Sequence, residues 1–380
     1  MANKKYNIGV IGYGYISLPF PKSTTNSSAS MSAKVFHIPL IEITPSFTLS
    51  AIVQRTPTPG NDASKDHPSA KLYHSSDDLI ADKSIDVIIV TTPPSTHFSL
   101  AKASLEAGKH ILVEKPFVPT SAEATTLQQL SRSAGKQLAV YQNRRWDSDF
   151  LTLRKLIGDG TLGRVVELST HFDRYKPVRP ETWKGELSMN EGGGVIYDLG
   201  THLIDQAYIL FGNPSTVFAT FTNQRGDAGK EGVEPDSITV LLGYGSDGPL
   251  VTVKAGVMSI EKEQLRYWVR GTKGSWKKFH LDVQEDQLKG GLKPGDKGFG
   301  IESKERAGKL VVLGDKGQVT ESVYENIFPE TYSKLYEGFA KAIESGKEED
   351  IPVKAGEAAD VLKIIEAARE SARTGKVVVL

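Results

Sequence analysis

Apolar residues in the first 140 or so positions come in short runs separated by amphipathic stretches, the rhythm of β-α-β units feeding a parallel sheet. Tyr6–Ile11 is the first run, Thr48–Val53 the second, Asp86–Thr91 the third, His110–Val113 the fourth and Gln137–Tyr141 the fifth. Between the last three, His97–Ala107 and Ser121–Ala134 carry a helical period, and glycine follows each at once, Gly108 and Gly135. Glycine adopts the left-handed conformation that ends a helix at little cost. Five strands in this pattern predict a doubly wound α/β domain over residues 1–145.

Past a helix predicted over Asp147–Ile157 the spacing changes. Strands are predicted at Val165–Phe172, Ser215–Thr222, Ser237–Gly243, Leu250–Gly256 and Arg266–Gly271, separated by Gly- and Asp-rich turns. Lys289–Gly300 reads as a solvated loop, and helices at Thr331–Ser345 and Ala355–Thr374 close the chain. Turn-linked strands with helices at the ends predict a C-terminal α+β domain, residues 146–380, built on a large, mostly antiparallel open sheet.

Composition narrows the function classes. The 46 basic and 46 acidic residues cancel, so no global field steers the chain onto nucleic acid or an anionic membrane. The absence of cysteine excludes a disulfide scaffold, a thiol nucleophile and a cysteine-ligated zinc. No stretch nears the ~18 apolar residues that span a bilayer. The polar start Met1–Lys5 runs into the first strand without the apolar region of a signal peptide. The expectation is a soluble cytoplasmic protein with a small-molecule substrate.

The chemistry clusters at strand ends, where open α/β sheets bind ligands. Gly9-Val10-Ile11-Gly12-Tyr13-Gly14 ends the first strand. In a dinucleotide fold Gly12 makes the tight turn, Gly14 admits the pyrophosphate, and the next helix offers its free N–H groups. The second strand ends in Val53-Gln54-Arg55-Thr56, with no acid to hold a ribose diol and one cation, Arg55, to meet a 2′-phosphate, which favours NADP over NAD. Thr92, Pro93 and His97 follow the third strand, and Glu114-Lys115-Pro116 follows the fourth. Further on, Asp198 and His202 lie four apart in a helical stretch and share one face. That spacing suits a metal too, but no third ligand accompanies it, and no metal is expected.

These motifs together resemble the glucose–fructose oxidoreductase, inositol dehydrogenase and rhizopine-catabolism family (Gfo/Idh/MocA). The resemblance rests on Gly9–Gly14, Thr92-Pro93 with His97, Glu114-Lys115-Pro116, Gly194 through Gln206, and Gly271-Thr272-Lys273-Gly274-Ser275, and it runs from Tyr6 to about Thr374. Gln142–Asp147 and His171–Arg174 are similar to a branch that includes NADP-linked scyllo-inositol dehydrogenases. The resemblance implies a Rossmann domain, a C-terminal sheet that floors the substrate site and joins subunits into a homo-oligomer, and a catalytic triad of Lys115, Asp198 and His202. In that triad His202 would take the hydroxyl proton, Asp198 would orient it or extend the relay, and Lys115 would steady the alkoxide. The implied activity is hydride transfer between a secondary alcohol of a sugar, polyol or cyclitol and NADP. A non-catalytic dinucleotide sensor of the same fold is the alternative, and it has no need of the triad. Gly12, Gly14, Ala33, Gln54, Arg55, Thr92, Pro93, His97, Glu114 and Lys115 are the expected cofactor contacts. Asn143, Arg174, Tyr175 and Trp183 are candidates for the substrate.

One segment departs from the family. Tyr15–Ser30, 16 residues with two prolines and seven Ser or Thr, falls where a helix should begin. Without it, Gly12-Tyr13-Gly14 joins Met31-Ser32-Ala33 as G-x-G-x-x-A, and the helix would run from about Ser32 toward Leu40. The segment reads as a poorly ordered surface extension whose loss would tighten NADP binding, or, in a eukaryote, as a translated intron. Its 16 codons keep the frame, and Thr25-Asn26 can be encoded by a branch-point-like ACUAAC.

Overall fold

The structure, a computed structural model, describes residues 5–13, 32–180, 182–230 and 232–380. The first sheet comprises β1 (Tyr6–Ile11), β2 (Phe47–Val53), β3 (Lys71–Tyr73), β4 (Val87–Val90), β5 (His110–Glu114) and β6 (Leu138–Tyr141). Their order is β3-β2-β1-β4-β5-β6 and every pairing is parallel. β4, Val-Ile-Ile-Val, is buried at all positions, as a strand covered on both faces must be. The strand order reverses between β1 and β4, which opens a crevice at their carboxyl ends. The unanticipated strand is β3: three residues are too few to display a period.

Gly12 turns the chain out of β1 with φ at 124°. A Cβ there would lie 2.5 Å from Thr91 Oγ1 and 2.9 Å from the Thr91 carbonyl carbon, so only glycine lets β1 turn this close to β4. The helix then winds as a π-helix over Ser32–His37 and continues as an α-helix over Ile38–Ile43. The run expected to be helical from about Ser32 toward Leu40 is so, and Ala33 is fully buried against the sheet, where a small residue is required. Gly14 and the Tyr15–Ser30 segment lie outside the described residues.

The second sheet comprises β7 (Val165–Asp173), β8 (Thr216–Thr222), β9 (Ser237–Gly243), β10 (Leu250–Gly256), β11 (Leu265–Gly271), β12 (Gly274–Phe279), β13 (Gly308–Leu313), β14 (Val319–Tyr324) and β15 (Val378–Val379). The order is β14-β13-β12-β11-β7-β10-β9-β8-β15, antiparallel except for β7 with β10. Strands β12 to β15 escaped the sequence pattern, β12 and β14 for identifiable reasons. In β12 one inward position is Lys278, fully buried with its ammonium on Glu302 and on the carbonyls of Phe279 and Arg306, so a core position reads as polar. β14 is exposed along nearly its whole length and has no apolar face to display.

One face of this sheet buries Leu168, Val240, Val253, Val269 and Trp276 under helices that include Thr201–Phe211 and Ala355–Thr374. Across the other face runs a row of cross-strand neighbours: Phe218, Leu241, Thr252, Ser169, Trp268, Lys277, Lys309 and Val323. Phe218, Trp268 and Val323 in that row are exposed.

The end of the chain returns to the first sheet. Helix Ser333–Ser345 sets Tyr336 against His37, Phe47 and Tyr141. Helix Ala355–Thr374 packs along Ser121–Ala134, where Glu366 accepts hydrogen bonds from the Ser121 backbone and hydroxyl, each at 2.7 Å. Among the described residues no helix is long and apolar enough to cross a membrane.

Candidate active site

Where the carboxyl ends of the first sheet face the second sheet lies a cleft of about 350 Å³. Ser32, Thr91, Thr92, Glu114 and Lys115 line it from one side, and Phe172, Arg174, Lys176, Asp198 and His202 from the other. Lys115 follows directly on β5, ahead of a cis bond to Pro116. Its ammonium crosses the cleft and donates to the Asp198 carbonyl at 2.7 Å and to Asp198 Oδ1 at 3.1 Å.

Asp198 sits in the π-helical turn Ile196–Gly200 that feeds helix Thr201–Phe211. Gly193 lets this segment pack closely, since a Cβ there would lie 2.0 Å from the Leu187 carbonyl oxygen. Besides Lys115, Asp198 accepts from Lys184 Nζ at 3.2 Å and Arg174 Nη2 at 3.4 Å. Burial favours its neutral form, but Lys115, Lys184 and Arg174 together hold the carboxyl well below the usual carboxylate range. Burial draws the Lys115 ammonium below its ordinary value, with Asp198 opposing.

His202 lies four residues on, buried in the cleft wall, and its Nδ1 has no hydrogen-bond partner among the described residues. Burial, then the charges of Lys115 and Arg144, press the imidazole pKa well below its ordinary value, so the ring is neutral at neutral pH. No hydrogen bond joins Asp198 to His202, the contact by which the resemblance implied that Asp198 orients the imidazole or extends the relay. Ammonium and guanidinium donors outcompete a neutral ring N–H for a carboxylate, and Asp198 faces three of them. Beneath His202, Gln206 Oε1 accepts from Arg266 at 2.8 Å and from the Tyr267 hydroxyl at 2.7 Å, while Arg266 Nε donates to Asp149 at 3.0 Å. This buried network fixes the helix that carries the imidazole.

The expected cofactor contacts divide. Thr92, Glu114 and Lys115 line the cleft. Glu114 is itself committed: Oε1 accepts from Ser32 Oγ at 2.5 Å and lies 2.9 Å from His37 Nε2, and Oε2 accepts from the Lys115 backbone at 2.8 Å. His37 Nδ1 is in turn 2.6 Å from the Tyr336 hydroxyl. His97 does not reach the cleft. It is fully buried, with Nε2 at 2.8 Å from the Thr92 carbonyl and Nδ1 at 3.0 Å from that of Pro116, and so braces two strand ends against each other. Pro93 begins the same turn and is likewise absent from the lining. Gln54 is also absent from the lining: its buried amide donates to the Asn61 carbonyl at 2.8 Å and accepts from the Ala63 backbone at 2.7 Å, shaping the loop after β2. Arg55 beside it is exposed and makes no hydrogen bond or ion pair with any described residue.

Of the substrate candidates, Asn143 and Arg174 line the cleft. Tyr175 does not: it is half exposed, because alternation after β7 sends neighbouring side chains to opposite sides. Trp183 opens the short helix Trp183–Glu186, and its side chain lies outside the described part of the structure. The same alternation puts Phe172, Arg174, Lys176 and Val178 on the cleft side. Lys176 was thus legible in the sequence as the second residue past Arg174. Lys184 had no such signal.

The site fits a dinucleotide, since the glycine turn at Gly12 ends β1 where the strand order reverses, beside the cleft at the carboxyl ends of the parallel strands. No group of three or more His, Asp or Glu among the described residues is arranged to hold a metal ion.

Two family descriptions match the chain in succession: "Oxidoreductase family, NAD-binding Rossmann fold" over residues 6–142 and "Oxidoreductase family, C-terminal alpha/beta domain" over residues 154–380. The chain is 37% identical over 369 residues to the uncharacterized oxidoreductase C115.03 of Schizosaccharomyces pombe, spanning 93% of this chain and 98% of that one. It is 33% identical over 374 residues to the scyllo-inositol 2-dehydrogenase (NADP(+)) IolW of Bacillus subtilis, spanning 98% and 95%. The solved structure of the oxidoreductase yvaA from Bacillus subtilis matches with a TM-score of 0.88 at 31% identity, covering 100% of this chain and 99% of that one. With a Rossmann sheet, an open second sheet and both family descriptions in their proper order, the chain belongs to the Gfo/Idh/MocA family of oxidoreductases.

Proposed function

We propose that the protein is a cytoplasmic NADP-dependent dehydrogenase acting on a secondary alcohol of a sugar, polyol or cyclitol, with Lys115, Asp198 and His202 as its catalytic residues. The observation that carries this reading is one cleft: a neutral buried imidazole and a half-buried ammonium face the space at the carboxyl ends of a dinucleotide-type sheet. The nicotinamide, when bound, supplies the hydride acceptor. Removal of the hydroxyl proton needs a base that is unprotonated at working pH, and the environment of His202 keeps it so. Lys115 offers its positive charge to the oxygen as that charge turns negative. Asp198 holds Lys115 in place through two hydrogen bonds.

NADP is favoured because Arg55 is exposed and uncommitted while no carboxylate occupies the end of β2. The relative IolW bears NADP(+) in its name. In a tryptophan-fluorescence titration NADP should bind more tightly than NAD, and Arg55→Ala should narrow the preference by about tenfold, the size of one charge-assisted contact. Equal or tighter NAD binding in the unaltered protein would end the assignment.

Lys115→Ala and His202→Ala should each lower kcat by about a hundredfold or more with the circular-dichroism spectrum unchanged. Because the folded-state pKa of His202 is depressed, its base form persists as pH falls through the ordinary histidine value of about 6.5. The acid limb of kcat/KM should therefore lie below that value. Normal turnover by His202→Ala, or an acid limb above about 6.5, contradicts the role given to His202.

For assembly, the row of Phe218, Trp268 and Val323 on the open face of the second sheet supports a homo-oligomer joined through that face. Sedimentation velocity should find a dimer or larger species that Trp268→Glu shifts toward monomer; a monomeric native chain would refute it.

A further inference from the structure

The cleft wall contributed by β7 and its continuation carries more positive charge than proton transfer requires. Lys115, Arg174 and Lys184 converge on one carboxylate, that of Asp198. Lys176 points into the same space, and its ammonium forms no hydrogen bond or ion pair with any described residue. Its backbone, by contrast, is pinned: the N–H donates to the Val257 carbonyl at 2.7 Å, and its own carbonyl accepts from Arg225 Nε at 2.9 Å and Nη2 at 2.8 Å. Arg174 has a buried Nε without a partner.

No other carboxylate of the cleft pairs with Lys176. Glu114 is held by Ser32 and His37, and Glu234 accepts from the Met189 backbone. Asp236 is taken by Arg225 and Arg179, and Glu285 by Arg144 and Lys289. The repulsion is felt at Lys176, whose ammonium is drawn below its ordinary value by Arg174 first, then by burial, Lys184 and Lys289, with Asp198 opposing. A neutral polyol would leave that repulsion standing, whereas a bound anion would relieve it. The phosphates of a dinucleotide fall to the Gly12 turn and Arg55, on the first sheet.

We infer that the substrate bears an anionic group, a carboxylate or a phosphate, on its hydroxylated frame, and that Lys176 with the unpartnered Nε–H of Arg174 binds it. This deepens the dehydrogenase reading and rests on it for the word substrate. The test is isothermal titration of inorganic phosphate, D-glucuronate and D-glucose into the native chain and into Lys176→Gln, with and without saturating NADP. A circular-dichroism melt checks that the variant folds. At least one of the two anions should bind the native chain tenfold or more tightly than D-glucose, and Lys176→Gln should weaken that binding at least tenfold. The stronger of phosphate and glucuronate identifies the anion. Anion binding that is absent, no tighter than that of glucose, or indifferent to Lys176→Gln overturns the inference. Failure of NADP to bind would instead remove the dehydrogenase reading, while the titrations without NADP still decide whether the anion site exists.

Discussion

The carboxylate of Asp198 is the point on which the cleft depends. It joins the two halves of the molecule, since Lys115 leaves the first sheet at the end of β5 and Asp198 rides on the helix that covers the second. A buried ion pair repays its desolvation only when further hydrogen bonds satisfy both ions. Here the Asp198 backbone carbonyl takes a second bond from Lys115, and Lys184 and Arg174 bring additional donors to the carboxylate. The arrangement is satisfied but not balanced. Lys115 contributes to keeping His202 neutral, and Arg174 and Lys184 crowd Lys176. The base chemistry and the anion recognition proposed for the cleft both rest on this one unequal cluster.

The second support is the clamp around Glu114. Its two oxygens gather Ser32 and His37 from the first helix and the Lys115 backbone from the strand end, and Tyr336 closes the set from a helix near the end of the chain. Burial favours a neutral carboxyl, yet His37 and Ser32 keep Glu114 below its ordinary value. The helix that begins at Ser32 and the strand end that carries Lys115 are therefore held by one side chain. His97 does comparable work one strand over, through backbone carbonyls alone.

What the sequence revealed follows from what periodicity can encode. β1, β2 and β4 to β11 bury regular apolar positions and were legible, whereas β3 is too short and β12 hides a buried lysine among its inward residues. Strand-end motifs located the cleft but not the direction of each side chain. Gln54 and His97 stand beside the site in sequence and spend their polar groups on backbone. Asp198 and His202 share a helix face, but spacing could not reveal that three cations would claim the carboxylate. Lys176 was legible but easily passed over, since its signal is a two-residue alternation that continues past the end of a strand.

The claim that Asp198 neutralises a buried cation shared between the two halves is tested most directly by a double-mutant cycle. Urea unfolding would compare the native chain, Lys115→Met, Asp198→Asn and the double variant. Asp198→Asn should cost about 3–5 kcal/mol, the penalty of leaving a buried charge unpaired. Lys115→Met should cost less, because Lys184 and Arg174 still serve Asp198. The double variant should be more stable than the sum of the single costs allows, by roughly 1 kcal/mol or more. Costs that simply add would contradict the account.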